Sequence, residues 1–414
     1  MIRYSKPFRL SSRGSMRATA YAFGNKSITL GNKTHVVWLD AVAKVCGRTF
    51  DHASGRWSDT LELFDGCDNH TNPALTADAR GHLHIAWGPH GWWGNWNEGR
   101  FKHAISVQAN SLLEWTSESD FGYNATYACL VHLPQGLDAI VYRGGESPCS
   151  LMFQRQRPEG GWADARPLMS QDIAPQYTHV SGFSTCDASG TLYATGHFYN
   201  IAEARSLGAA ILRSADLGNT WTDLRGKTTE TPIRLSPRFA IPAAGNDPYV
   251  IGAIVDSSGS FWTGTYDASG KSGTAYVCRW TGTDWETIDL APFMPSEYRI
   301  VCAVLSIDAA DHLHVAATGI AANLNIDKHA AWGHPSLEVF HLCSHDGGKF
   351  FECHQVSPPD PTAANWLPNI SLPGLFHPVE FPVILYTHGL PGVGCSPTTQ
   401  TEVWCLRVEE ISRR

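Results

Sequence analysis

Two histidines on loop-like segments are the first candidates for chemistry. His70 lies in Asp-Asn-His-Thr-Asn-Pro, and His90 lies twenty residues further on in Gly-Pro-His-Gly. Asn, Gly and Pro favour loops, and loops on a rigid scaffold often carry functional side chains. Residues 83–87 between them alternate in a period of two, which predicts a half-buried strand. We expect both histidines to act on a ligand, with Trp92 and Trp93 as nearby platforms for sugar rings.

The elements that must position these residues are indicated by a repeat. A turn followed by a strand recurs at residues 30–38, 78–86, 133–142, 187–194, 256–262, 308–315 and 375–386. Regular repeats of short strands are typical of propeller blades. No stretch has a sustained apolar period of 3.6, so long amphipathic helices are not expected. The sequence predicts an all-β fold, a seven-bladed β-propeller that forms a single domain over residues 1–414.

A second phrase predicts hairpins inside the blades. Residues 214–221, Ser-Ala-Asp-Leu-Gly-Asn-Thr-Trp, fit the pattern S-x-D-x-G-x-T-W known as an Asp box. In such a hairpin the Asp caps the turn and the Gly takes a positive φ. Weaker copies occur at 55–57, 159–162, 281–285 and 344–348. Asp boxes are found in many unrelated propellers, so they predict the fold and not the chemistry.

Further polar residues join the two histidines through the predicted fold. In a propeller, the strand ends of successive blades converge on one mouth of the central channel. The residues expected there, as a contiguous arc from blades two, three and four, are His70, His90, Tyr127, Arg143, His197 and Arg205.

The order of these residues resembles a family of β-propeller polysaccharide lyases, namely the ulvan lyases and the related rhamnose–glucuronate lyases, grouped with BNR-repeat proteins. The resemblance rests on DNHTNPAL, the second His, then TY, then YRG, then an Arg before an Asp box, and covers residues 60–225. It implies cleavage of a uronic-acid polysaccharide by β-elimination. It also implies that the family's histidines correspond to His70 and His90, its tyrosine to Tyr127, and its carboxylate-binding arginines to Arg143 and Arg205.

The residue types suit that chemistry. Elimination removes the C5 proton of a uronate and breaks the C4–O bond, and an arginine on the carboxylate stabilises the enolate-like intermediate. Neutral histidine is a suitable base near neutrality. We expect His90 as the base, Tyr127 as the acid (or as both acid and base) and His70 in a positioning role, and the two histidines could exchange roles. Asn69, next to His70, is expected to contact substrate.

Composition narrows the partners. The net charge of −8 argues against a nucleic-acid partner that is bound through its phosphate groups. Basic residues clustered at one place could still bind an anionic polysaccharide or oligosaccharide. No apolar run is long enough to cross a membrane. The N-terminus has no apolar signal region, so the protein is expected inside the cell unless the sequence is a trimmed form.

The 11 cysteines are scattered, which favours buried reduced thiols over disulfides.

We expect no cofactor for catalysis. A structural metal site is a separate possibility. His341, Cys343 and His345 alternate along one predicted strand and could meet a single structural zinc. The resemblance implies such an ion as well, since some relatives in that family carry a structural zinc. Hydrogen-bonded core histidines and a buried thiol are the alternative interpretation.

Two other functions remain open from the sequence. A sialidase-like glycoside hydrolase would also be an Asp-box propeller, but it needs an arginine triad, a Tyr–Glu pair and an acidic residue. The segment Phe8-Arg9-Leu10 only half matches the sialidase motif. A non-catalytic carbohydrate-binding propeller would use the tryptophans without turnover.

Overall fold

The computed structural model describes residues 2–90, 97–146, 148–172, 178–392 and 399–411. The described chain is almost entirely β-structure, arranged as seven antiparallel sheets that follow one another in sequence. Two N-terminal strands, β1 (Ile2–Tyr4) and β2 (Phe8–Gly14), precede the first complete sheet.

The first three sheets come from consecutive segments. The first contains β3 (Ser27–Leu30), β4 (Lys33–Leu39), β5 (Lys44–Asp51), β6 (Arg56–Trp57) and β7 (Leu61–Asp65). The second contains β8 (Ala74–Ala77), β9 (Leu83–Trp87), β10 (Phe101–Ile105) and β11 (Ser119–Phe121). The third contains β12 (Thr126–His132), β13 (Asp138–Gly144), β14 (Ser150–Arg155) and β15 (Arg166–Met169).

The next two sheets carry additional short strands. The fourth contains β16 (His179–Ser181), β17 (Ser184–Cys186), β18 (Leu192–Asn200), β19 (Arg205–Ser214), β20 (Trp221–Thr222), β21 (Thr228–Thr229) and β22 (Ala240–Ile241). The fifth contains β23 (Pro248–Val250), β24 (Ile254–Val255), β25 (Phe261–Asp267), β26 (Ala275–Trp280) and β27 (Trp285–Asp289).

The last two sheets complete the fold. The sixth contains β28 (Tyr298–Ile307), β29 (Leu313–Ala321), β30 (Glu338–Ser344) and β31 (Glu352–Gln355). The seventh contains β32 (Ala364–Ile370), β33 (Val383–Leu390) and β34 (Gln400–Ile411), and both β1 and β2 pair antiparallel with β34. The two ends of the chain are therefore held in one sheet.

Neighbouring sheets are joined by shared apolar clusters. At each junction, one buried residue from each of the two neighbouring sheets belongs to the same cluster. In order around the molecule these residues are Val37 with Ile85, Phe101 with Ile140, Val141 with Ile211, Ile211 with Phe261, Val277 with Leu305, Val304 with Ile384, and Leu385 with Val36. The last pair joins the seventh sheet back to the first, so the sheets form a closed ring. Each fully buried aliphatic side chain contributes about 1.5–3 kcal/mol to the stability of these junctions. The architecture is a β-propeller.

The predicted Asp-box segment forms a tight, internally bonded turn. The Ser214 hydroxyl donates to the Asp216 carboxylate, which also accepts from the Thr220 backbone and hydroxyl, while Gly218 N–H donates to Ser214 Oγ. Gly218 has a φ of 84°, a conformation that favours glycine. The weaker copy at 344–348 has the same bond from its glycine N–H to its serine hydroxyl.

Helical structure is short within the described ranges. One α-helix, α1 (Lys328–Ala331), is capped at its N-terminus by Asp327, whose carboxylate accepts hydrogen bonds from the N–H groups of His329 and Ala330. Two 3-10 turns lie at Asn97–Gly99 and Ala291–Phe293. The described helices are all too short to cross a membrane. The ten described cysteines are all free thiols, as the sequence predicts.

Candidate active site

A cavity of about 650 Å³ is lined by the segment before β3, by the first strands of several sheets and by α1. Its aromatic lining includes Phe23, Phe183, Trp332 and Trp366. Its ionisable lining residues are Arg17, Tyr21, His70, Tyr127, His179, His197, Tyr199, Tyr249, Tyr266, Cys302, Lys328 and His329. Among the described residues that line the cavity, none is Asp or Glu. A protein of net charge −8 thus presents only cationic or neutral groups here.

Strand irregularities turn side chains into this cavity. In β12 the pairing with β13 shifts between Thr126 and Cys129, and Tyr127 within the shift has a φ of 61°. A bulky residue rarely adopts this conformation, which costs about 1–3 kcal/mol and is common at functional sites. Similar shifts occur in β18 after His197 and in β32, where Leu367 has a φ of 56°. Bulges re-aim side chains, so they explain how residues of inner strands reach the cavity.

One carboxylate holds the two histidine-bearing loops together. Asp68 accepts a hydrogen bond from His70 N–H at 2.7 Å and another from His90 N–H at 3.1 Å. The two imidazole rings lie 4.1 Å apart between centroids. His90 in turn lies 6.2 Å from the Tyr127 ring. The predicted histidine pair and tyrosine therefore form one group, and Asp68 is the residue that fixes the spacing of the pair.

Two guanidinium groups face this group. Arg17 Nη1 lies 2.9 Å from His70 Nε2, and Arg143 Nη1 lies 3.4 Å from His90 Nε2. Because arginine can only donate, each Nε2 accepts and each imidazole carries its proton on Nδ1. The Arg143 guanidinium also lies 4.9 Å from the centre of the Tyr127 ring. The buried Arg143 is therefore where the sequence predicted it, beside the tyrosine and the second histidine.

Burial and these cations keep the histidines neutral. Burial lowers the pKa of His90 to about 3, with further lowering by Arg143 and Arg17. Burial, and then Arg17, lowers the pKa of His70 well below its usual value. Neutral imidazoles with unprotonated Nε2 atoms can accept a proton from a bound ligand.

The other residues predicted to contact substrate lie partly at the cavity and partly outside the described residues. His197 lines the cavity, its ring lies 4.1 Å from the Tyr249 ring in a tilted arrangement, and burial and Lys328 lower its pKa to about 3. Asn69 lies half-buried next to His70. Trp92 and Trp93 lie outside the described residues.

Arg205 does not have the predicted position. Its guanidinium donates to Glu203 at 2.5 Å and to the Asn246 carbonyl at 3.0 Å, and Arg205 is not among the described lining residues. The sequence position before the Asp box does not reveal this local ion pair, so a role of Arg205 in carboxylate binding stays a prediction. Arg17 instead supplies the second guanidinium, from the segment that precedes the first complete sheet.

The predicted zinc ligands are not brought together as a set. His341 has Tyr4 Oη 2.8 Å from its Nδ1 and His314 Nδ1 3.0 Å from its Nε2, so both of its ring nitrogens already have protein partners. Cys343 Sγ lies 3.8 Å from His345 Nε2. Alternation along β30 does align His341 and Cys343, but the neighbouring strand and β1 supply hydrogen-bonding groups that the sequence pattern did not include.

Sequence reasoning missed three polar residues at this site. Arg17 and Lys328 come from segments without a repeat signal, and Asp68 was noticed only as part of the histidine phrase. The Asp-x-His spacing, typical of an Asx turn, could have indicated the role of Asp68. Lys328 Nζ is bound by Asp247 at 2.8 Å and lies 5.3 Å from the Tyr199 ring.

Comparisons with known proteins identify a family and related sequences. A family model described as a BNR repeat-containing family member matches residues 33–292. An ulvan lyase of Nonlabens ulvanivorans is 30% identical over 101 residues, which are 22% of this chain and 21% of that protein. An ulvan lyase of Alteromonas sp. (strain LOR) is 28% identical over 130 residues, 27% of each chain. The match thus spans about a quarter or less of the length of these curated relatives.

Solved structures share the fold over nearly the whole chain. A PL25 ulvan lyase has a TM-score of 0.71 at 14% identity, covering 97% of this chain and 95% of that one. The same figures hold for a PL25 ulvan lyase bound to -[GlcA(1-4)Rha3S]-. The polysaccharide lyase Uly1 has a TM-score of 0.61 at 12% identity, covering 98% of this chain and 99% of that one.

Proposed function

The chain belongs to the BNR repeat-containing family, and from this premise we propose that it is a polysaccharide lyase that cleaves a uronic-acid polysaccharide by β-elimination. The substrate is an ulvan-like polymer of rhamnose and glucuronate. The observation that carries the proposal is a group of His70, Tyr127 and Arg17 at the cavity wall, which His90 and Arg143 adjoin. The described lining of the cavity has no acidic residue.

The uronate carboxylate binds between Arg17 and Arg143. In the free protein their guanidinium groups donate to histidine Nε2 atoms, so an incoming carboxylate offers a stronger, charged acceptor. Pairing both guanidinium groups with the carboxylate frees the two Nε2 lone pairs. It also neutralises the charges that lower the histidine pKa values, which makes the imidazoles better bases at the moment of binding.

The elimination then needs one proton acceptor and one donor. His90 Nε2 takes the C5 proton, the C4–C5 double bond forms, and the C4–O4 bond breaks. The Tyr127 hydroxyl gives its proton to the departing O4. His70, held by Asp68 and stacked 5.7 Å from Tyr21, orients the neighbouring ring. Afterwards the imidazolium returns its proton, through solvent, to the tyrosine.

The test is turnover of a panel of uronate polymers, ulvan first, followed by ultraviolet absorbance of the unsaturated uronate and by product mass. A lyase yields the conjugated double bond. Hydrolysis without the double bond would refute the proposal, and sialic acid release would favour the sialidase alternative. Binding without turnover would favour the non-catalytic carbohydrate-binding alternative.

Two single substitutions test the roles of the two guanidinium groups. Arg17→Gln and Arg143→Gln should each lower kcat/KM by about 10- to 150-fold, corresponding to roughly 1.5–3 kcal/mol for a hydrogen bond to a charged group. Arg225→Gln is the matched control, since Arg225 is an exposed arginine that donates to the Thr283 carbonyl. Unchanged kcat/KM in both the Arg17 and the Arg143 variant would contradict carboxylate binding between these two residues.

The finer architecture is part of the same proposal. Each of the seven sheets corresponds to one blade, and the turn at 214–221 to an Asp box; the shared apolar clusters between successive sheets support this assignment. An experimental electron-density map would test both the blade count and the hairpin.

A further inference from the structure

A lysine is completely buried next to the segments that carry the candidate site. Lys26 lies immediately before β3 and is 0% exposed. Lysine is almost never fully buried unless an opposite charge compensates it. The three oxygen atoms that its Nζ contacts all belong to uncharged groups, and burial lowers the pKa of Lys26 to about 7. Because this burial destabilises the folded protein, it indicates a role for Lys26 other than packing.

Lys26 joins two segments of the site. Its Nζ donates to the backbone carbonyls of Tyr21 and Gly24, each at 3.2 Å, and to Asn72 Oδ1 at 2.6 Å. These three acceptors match the three N–H donors of a protonated lysine. Tyr21 lines the cavity, and Asn72 follows His70 by two residues. Lys26 therefore holds the segment of Tyr21 against the loop of His70.

Asn72 extends this link to β12. It is 1% exposed, and its Nδ2 donates to the carbonyl of Ala128, the residue after Tyr127, at 3.5 Å. The Tyr21 ring lies 4.4 Å from the Tyr127 ring and 5.7 Å from the His70 ring. The link thus joins the backbones of the three segments whose rings meet at the cavity.

The close approach of the two segments is a separate observation. A Cβ atom at Gly24 would lie 3.0 Å from Asn72 Nδ2 and 3.0 Å from the Pro73 carbonyl oxygen. Contacts this short leave no room for a larger residue, so glycine is needed where the two backbones meet. The spacing of these segments is therefore fixed closely at the place where Lys26 binds both.

We propose that Lys26 is a positioning residue that acts through Asn72. Together they set the spacing of three rings, those of Tyr21, His70 and Tyr127. The inference rests on the proposed function of the site. Lys26 itself does not touch substrate, because it is not among the described residues that line the cavity.

Lys26→Met keeps the length of the side chain and removes its donors. The Tyr21 carbonyl keeps the Gly24 N–H at 3.2 Å, and the Gly24 carbonyl keeps Asn369 Nδ2 at 3.1 Å. Only Asn72 Oδ1 loses its described donor. Since the substitution also removes a buried charge, the melting temperature should stay within about 4 °C of that of the unsubstituted protein.

The kinetic effect should fall on kcat. A displacement of about 1 Å at a catalytic centre can cost about 100-fold, so we expect kcat of Lys26→Met to fall by about 10- to 100-fold. KM should change by less than about threefold, because the backbone next to Arg17 is held elsewhere, by the Leu39 N–H on the Ala18 carbonyl at 3.1 Å. A residue that only stabilised the fold would lower the melting temperature and leave kcat of the folded protein unchanged.

Thr263→Val is the matched control. Its hydroxyl is also fully buried and donates to a backbone carbonyl, that of Gly252 at 2.6 Å, but it lies on β25 and is not among the described lining residues. This variant should keep its kcat. Equal kcat values for Thr263→Val and Lys26→Met would overturn the proposal.

A second variant tests whether the two residues act as one unit. Asn72→Leu removes the same link from its other end and should lower kcat by a similar factor. The double variant Lys26→Met with Asn72→Leu should be no slower than the slower single variant, because residues that act through one contact are not additive. Multiplication of the two effects would overturn the proposed link.

A crystal structure of Lys26→Met, or of Asn72→Leu if the first variant does not fold, separates this inference from the proposed function. The distance between the Tyr21 and Tyr127 ring centroids should differ from 4.4 Å by more than about 0.5 Å. Unchanged spacing would overturn the positioning role even in an active lyase. Lack of lyase activity in the unsubstituted protein would instead refute the proposed function, whereas the ring spacing would still test the role of Lys26.

Discussion

Replacing Tyr127 by Phe removes a single oxygen atom from the candidate site. The Tyr127 ring is 6% exposed, lies 4.4 Å from the Tyr21 ring and has the Arg143 guanidinium 4.9 Å from its centre. Phenylalanine keeps these ring contacts and the same backbone conformation. The free energy of unfolding should therefore change little, and any kinetic effect reports on the hydroxyl.

The expected kinetic effect is large and confined to kcat. A positioned general acid or base contributes about 10²- to 10⁴-fold, which corresponds to roughly 2.7–5.4 kcal/mol in the activation free energy. KM should change little, because the arginines and not the phenol bind the carboxylate. The assay is the initial rate of ultraviolet absorbance from the unsaturated uronate at saturating polymer, together with a thermal unfolding curve.

Tyr142→Phe is the matched control for this substitution. The Tyr142 hydroxyl is also buried, on the neighbouring strand β13, but it donates to Gln154 Oε1 at 2.7 Å outside the cavity. This variant should lose about 1 kcal/mol of stability and keep its kcat. If Tyr127→Phe kept a kcat like that of Tyr142→Phe, the assignment of Tyr127 as proton donor would be refuted.

Three further predictions concern the base, its support and the arginine that the sequence suggested. Because the pKa of His90 is lowered to about 3, the base is already unprotonated above that pH. We therefore expect kcat/KM not to fall as the pH is lowered from about 8 to 5, and a fall with a midpoint near 6.5 would contradict this. Asp68→Ala should lower kcat by about 10- to 100-fold and lower the melting temperature, because the loops of His70 and His90 lose their common acceptor; unchanged kinetics would exclude this role. Arg205→Ala should change kcat/KM by less than about threefold, since its charge is paired with Glu203 on the surface, and a larger loss would restore the sequence-based prediction.

The propeller and the order of its candidate residues could be read from the sequence because both depend on local patterns. Alternation of apolar residues, turn chemistry and regular repetition determine where strands begin and end, and β9 at Leu83–Trp87 coincides with the predicted strand. The Asp-x-His phrase, the second histidine and the Tyr–Arg spacing lie on consecutive sheets. Tyr127 and Arg143 come together because Thr126 pairs with Arg143 across β12 and β13.

Only the tertiary structure determined which side chains share a volume. Tertiary packing brings Arg17 to His70 across 53 residues of chain, and no sequence period relates them. The bulge that turns Tyr127 toward the cavity has a positive φ that tyrosine does not favour locally, so packing must impose it. Arg205 is paired by a neighbour two residues away. Local sequence determines hydrogen-bonding pattern and strand period, whereas contacts between distant segments depend on how the closed ring is packed.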